Sequence, residues 1–192
     1  MLLLASGLER LMKVVLCLAV LQDQGRFPNP SDIPATHDLV RLLDVVIATC
    51  FDDAYLERPA AQEDLAYIRD DERLRQVVRA LAEFGDQARY YNLDVVTGRS
   101  LPFRPPDEAW GDIEHAVLEE NPFWVVEFTT DSGLEAHSDR MARTLVVAIE
   151  RLIRALVRLF TLSRIAPEAR LHTGRIASFL RLTDEHLGST LY

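Results

Sequence analysis

The sequence predicts an all-α protein: an up-and-down helical bundle with short extra helices and one Pro-rich loop. Three observations carry this. Apolar residues recur at i, i+3, i+4 spacing over most of the 192 residues. Gly- and Pro-bearing breaks fall between those stretches. Only residues 123–130 (FWVVEFTT) have the aromatic and β-branched content of a strand. At 48% hydrophobic and 27% charged, the composition is that of an ordinary globule. The length fits one domain, 1–192, with a candidate hinge at 99–107.

The first helix is expected from about Leu2 to Gln22, with Leu4, Leu8, Leu11, Val15, Leu18 and Ala19 on one stripe. Val14, Leu16 and Val20 widen that stripe, which predicts burial on more than one side. Gly25, Pro28 and Pro30 end it. Ser31 or Thr36 can cap a second helix, about His37 to Phe51, whose stripe is Leu39, Leu42, Leu43, Val46, Ile47 and Cys50. Pro59 suits the first turn of a short helix near Ala60 to Ile68. A longer one, Leu74 to Val96, ends before Gly98, where a C-cap glycine belongs. The loop 99–107 (RSLPFRPPD) follows, then a helix capped by Asp107 and broken by Asn121-Pro122. Trp110 and Trp124 read as loop anchors. A long helix runs from Asp131 or Ser132 to Leu162, and Pro167 opens a last one to about Leu187.

Charge divides the chain. Residues 1–131 hold 12 basic and 24 acidic side chains, whereas residues 132–192 hold nine arginines and six acids. The net charge is −9, and Lys13 is the sole lysine beside 20 arginines. An acidic front and a basic back can pair within a bundle or across a dimer. Cys17 and Cys50 cannot build a disulfide framework or a four-thiolate zinc site, and both sit in apolar helical runs as expected of buried free thiols. No basic residue precedes Leu2, Glu9, Arg10 and Lys13 interrupt the first apolar run, and Val14–Gln22 falls short of a membrane span. No membrane association and a cytoplasmic location are therefore expected.

Chemistry-bearing motifs are sparse. The chain has no glycine-rich phosphate loop, no GxSxG elbow and no dinucleotide fingerprint, so no cofactor is expected. The residues three before its five histidines are Pro34, Asp112, Leu134, Ala169 and Thr183, so the paired Glu-x-x-His of a di-iron bundle is absent. Glu135, His137 and Asp139 alternate, which on a helix spreads them over different faces, and no metal site is expected. On the long helix Arg140, Arg143, Arg151, Arg154 and Arg158 fall within an arc of roughly 80° that faces away from the apolar stripe. Such an arc can track phosphates, or it can be a solvated face, or a set of salt-bridge partners for the acidic half. The polar cluster 87–94 (QARYYNLD) reads as a buried hydrogen-bond network or a pocket wall.

Residues 5–16, ASGLERLMKVVL, resemble the first helix of the HEPN (higher eukaryotes and prokaryotes nucleotide-binding) family. Residues 36–44, THDLVRLLD, resemble the His-Asp-Leu opening of that family's second helix. The two motifs occur in the family's order, and the resemblance spans about 40 of the 192 residues. The resemblance implies a helical bundle that usually forms a homodimer. It implies one of two roles: a metal-independent ribonuclease of a toxin or phage-defence system, or a non-catalytic module that pairs with a nucleotidyltransferase or another protein, or binds a nucleotide; an antitoxin or a nucleotidyltransferase is the protein partner it suggests. The family's ribonuclease site is an Arg, four to six residues, then a His, duplicated at the dimer interface. Arg181 and His186 match that spacing. In that role His186 would move the ribose 2′-OH proton and Arg181 would stabilise phosphate charge. A chain with 20 Arg and five His is expected to contain such a pair by chance. Leu182 departs from the polar residue the family often has after its Arg, and His37 is expected to hold the loop before the second helix. The net negative charge favours the binding module, and the basic C-terminal third keeps the ribonuclease open.

Overall fold

Among the described residues, the core-facing sides of the helices carry most of the expected apolar stripes. The structure is a computed structural model and describes residues 1–86, 94, 96–98, 105–124, 131–165, 170, 174 and 181–188. Its elements are α1 (Leu2–Gln24), α2 (Leu39–Cys50), α3 (Asp53–Leu56), α4 (Pro59–Asp70), α5 (Glu72–Asp86), α6 (Pro106–Glu120) and α7 (Asp131–Leu162), followed by a 3₁₀ turn, Asp184–His186. The chain is an all-α helical bundle, with no strand among the described residues.

Local chemistry sets the helix ends. α1 stops at Gly25, whose φ of +64° places it in the left-handed region while its N–H returns to the Leu21 carbonyl. The cap of α2 is Asp38, not Ser31 or Thr36: its carboxylate accepts from the N–H groups of Val40 and Arg41. Thr36 instead accepts from the Asp38 N–H at 3.0 Å. Asp52 caps α3 and Asp71 bonds the Leu74 N–H at 2.8 Å. Pro59 and Pro106 occupy first turns, where a missing N–H removes no intrahelical bond. Asp107, expected as a cap, lies inside the first turn of α6, where a carboxylate suits the helix dipole.

α5 packs against α1, α2, α6 and α7, and α1 against α2, α5 and α7. The face α1 turns to them carries Ala5, Leu8, Met12, Val15, Leu16 and Ala19. Leu4, Leu11 and Leu18 lie beside that stripe and are only partly buried. Expected burial on a second side is not found, since Leu3 and Val14 are exposed on the uncovered face. α7 is the opposite case. Along its second half Leu152, Arg154, Ala155, Leu156, Val157 and Leu159 are all buried, so it is enclosed on nearly every side. At 32 residues it is about 48 Å long.

Several expectations change or fall elsewhere. Phe123 and Trp124 belong to a 3₁₀ turn rather than a strand, because the Trp124 N–H bonds back to the Asn121 carbonyl; residues 125–130 lie outside the described residues. Trp110 packs against the core from α6 rather than from a loop. Gly98 has φ +76°, as its expected cap position requires, but 87–93 and 99–104, with most of the polar cluster and of the hinge, are outside the described residues. The last helix does not reach Leu187. Arg181 is helical, Leu182 and Thr183 are not, and the Thr183 carbonyl accepts from the His186 N–H to close the 3₁₀ turn.

Two substitutions are expected to separate core from cap. Leu156→Ala removes a fully buried side chain from α7 and is expected to cost about 3 kcal/mol. Asp38→Ala is expected to cost about 1 kcal/mol. Urea denaturation read by circular dichroism checks both, and equal losses would contradict the packing described.

Candidate functional site

Arg151, Arg154 and Arg158 are spaced three and four apart, so α7 presents them on one face. The expectation that this arc lies away from the core fails for Arg154, which is 4% exposed. The reason is that other elements cover the arc: α4 on one flank and residues 182–188 on the other. Each arginine meets a carboxylate brought by one of them. Arg158 donates to Asp64 on α4 at 2.7 Å. Arg154 donates from Nη1 to the Leu182 carbonyl at 3.0 Å and from Nη2 to Asp184 at 2.5 Å. Arg151 reaches Asp184 at 4.0 Å, and its guanidinium carbon stands 4.1 Å from the Tyr67 ring centroid, a cation–π distance. The Tyr67 hydroxyl in turn donates to the Ala148 carbonyl of α7 at 3.0 Å.

The two carboxylates respond in opposite directions. Burial lifts the Asp64 carboxyl above its ordinary value, and the Arg158 hydrogen bond offsets only part of that. The Arg154 hydrogen bond holds Asp184, which is largely exposed, below its ordinary value. Among the described residues, three buried polar atoms here and nearby have no hydrogen-bond partner: Asp64 Oδ2, Arg154 Nε and Tyr55 Oη. Burial also raises the Tyr55 phenol.

The C-terminal segment is thus strapped to α7. Leu182 is buried, the Gly188 N–H donates to buried Glu150 at 2.6 Å, and Gly188 has φ +69°. A Cβ at Gly188 would stand 2.8 Å from Val147 Cγ2, so both its backbone and its contact require glycine. The strap displays the two residues predicted as catalytic. Arg181 and His186 are both exposed, on either side of the helix end, and no hydrogen bond joins them among the described residues. The His186 ring is turned inward at Nδ1, which accepts the Thr183 N–H at 3.2 Å and lies 2.9 Å from Thr183 Oγ1. Of the other two arginines of the arc, Arg140 has its guanidinium 6.0 Å from the Trp124 ring, and Arg143 is exposed beside Gly188.

A second cluster joins the two sequence motifs. Glu9 of α1 accepts from Lys13 at 2.7 Å and meets His37 Nδ1 at 2.9 Å. Burial would raise the Glu9 carboxyl, and the hydrogen bonds from Lys13 and His37 outweigh it and bring it below its ordinary value. The interaction ties the loop before α2 to α1, the role expected of His37.

Sequence reasoning missed Asp64, Asp184, Glu150 and Tyr67. Asp64 carried a usable signal, since it shares the inward face of α4 with Ala61, Tyr67 and Ile68. Asp184 carried none, because its helix was expected to continue. Among the described residues no three His, Cys, Asp or Glu side chains are placed to hold a metal ion; the side chains of Glu135 and His137 are outside them. Cys17 and Cys50 are free, and burial pushes the Cys50 thiol up to about 12. No described helix is long and apolar enough to cross a membrane. Comparison with family models, curated proteins and solved structures finds no match.

Arg158→Ala is expected to cost about 3 kcal/mol at pH 7, because it takes the cation away from the buried Asp64 carboxyl. Asp64→Asn is expected to cost about 1 kcal/mol, since Arg158 retains access to water. Asp64 has a raised folded pKa, so its ionisation costs stability as pH rises from its unfolded value through the folded one. Removing Arg158 raises it further, and the Arg158→Ala deficit should shrink as pH falls toward the ordinary Asp range. A deficit in urea that is as large at pH 4 as at pH 7 would remove the charge as its cause.

Proposed function

We propose that this chain is a HEPN-like, non-catalytic binding and interaction module that works in the cytoplasm and pairs with a second copy and with another protein. The observation that carries this reading is the state of His186. With its Nδ1 lone pair accepting the Thr183 N–H, a neutral ring holds its proton on Nε2. The outward nitrogen is then a hydrogen-bond donor, not the base that a ribose 2′-OH requires. Arg151, Arg154 and Arg158 add support, since their charges are answered inside the chain, and so does the net charge of −9, which repels polyanions. The HEPN-like part rests on the two motifs and on the Glu9–Lys13–His37 contact that joins them. Two free cysteines fit a reducing compartment.

The ribonuclease reading keeps one observation of its own: Arg181 and His186 are both exposed on the same short segment. Purified protein incubated with varied RNAs in EDTA separates the two. The binding module is expected to leave the RNA intact, with His186→Ala indistinguishable from wild type. Metal-independent cutting to a 2′,3′-cyclic phosphate, abolished by His186→Ala, would establish the ribonuclease instead.

A further inference from the structure

The inference concerns a groove on the side of the bundle formed by α2, α4 and α5. It deepens the binding-module reading and rests on it. Val40, Leu43 and Ile47 of α2 recur at i, i+3, i+7 and form one wall, and Leu74 and Val78 of α5 form the other. Ile68 closes one end. Val40 and Ile47 remain partly open to solvent.

The rim of this apolar floor is charged. Arg69 from the last turn of α4 and Arg75 and Arg79 from α5 stand along one side, all exposed. Among the described residues Arg69 and Arg75 form no salt bridge, and Arg79 reaches Glu72 at 3.8 Å between two exposed side chains. Arg75 and Arg79 are also i, i+4 neighbours of like charge, which weakens a helix rather than supporting it. This contrasts with α7, where Arg151, Arg154 and Arg158 each have a carboxylate. In a chain of net charge −9, acidic partners for these three are plentiful, yet the fold leaves them facing outward. On the opposite wall Asp44 is exposed.

The shape selects the occupant. The groove holds about 250 Å³, below the roughly 300–1,000 Å³ of pockets that enclose a small molecule. From Val40 to Ile47 it runs about 10 Å, or two helical turns. No sheet edge is offered among the described residues, so strand addition is not the mode. An amphipathic helix laid between two helices inserts apolar side chains at i, i+3 or i+4, and i+7. Its flank toward α5 must carry acids to meet the arginines, and its flank toward Asp44 must not. We propose that the α2–α5 groove is a docking site for an acidic amphipathic helix of a partner protein, recognised by apolar insertion between Val40, Ile47 and Val78 and by the cations Arg69, Arg75 and Arg79.

The test uses the full chain and a fluorescein-labelled helical peptide with Leu at i, i+3 and i+7 and Glu along one flank. Its controls are the same peptide with Lys for Glu, and sodium decanoate as a small anionic amphiphile. Anisotropy is expected to show saturable binding of the Glu peptide and at least about tenfold weaker binding of the Lys peptide. The double variant Arg75→Glu/Arg79→Glu, whose residues lie on the surface, is expected to weaken the Glu peptide about tenfold, whereas Arg10→Glu on exposed α1 surface leaves it within about twofold. Absence of saturable binding, equal binding of both peptides, or equal effects of the α5 and Arg10 variants overturns the proposal. Decanoate that displaces the Glu peptide competitively at submillimolar concentration also overturns it, in favour of a small-molecule site. Loss of the groove and loss of the underlying reading remain distinguishable. His186-dependent RNA cutting removes the binding module whatever the peptide does, whereas no cutting together with no peptide binding removes the groove alone.

Discussion

Placing Arg154 inside the packed half of α7 constrains the rest of the architecture. A guanidinium at 4% exposure cannot be left without acceptors, because desolvating a charge costs several kcal/mol unless it is answered. The answer lies outside α7. It comes from the far end of the chain, through the Leu182 carbonyl and the Asp184 carboxylate. One turn further along, Arg158 requires the same of α4 and obtains Asp64. α7 is therefore a hub whose charged face fixes where two distant segments lie, while its apolar face joins α1 and α5.

That arrangement changes what the arginine arc means. Five arginines on one helix resemble an anion-binding stripe when read as a helical wheel. In the folded chain, Arg151, Arg154 and Arg158 have carboxylate partners and Arg154 is buried. Solvent-open positive charge is found on α4 and α5 as well, in the acidic front of the chain, where Arg69, Arg75 and Arg79 border an apolar groove. Average charge along the sequence does not record which arginines are neutralised, because neutralisation is a tertiary event.

The same logic applies to His186. Its spacing from Arg181 is a property of the sequence, but its chemistry depends on what Nδ1 meets. When the helix ends at Arg181, the chain turns through Leu182 and Thr183, and the imidazole becomes part of a cap closed by Thr183. A residue that reads as a base on an uninterrupted helix is, in the turn, a group whose inner lone pair is already used.

What the sequence by itself determined is the helical class, the stripes of α2 and the long helix, and the breaks at Gly25, Pro59, Gly98 and Asn121-Pro122. Periodicity and backbone restrictions are local, and a window of residues contains them. Asp38 as the cap of α2 was within reach of the same reasoning, since it stands directly before Leu39. Tertiary structure alone decided which side of α1 is covered, where the last helix stops, and which charges are spent on one another. Those outcomes join residues 28, 30 and 94 positions apart, and no local pattern records a contact whose stability comes from burial by a third element.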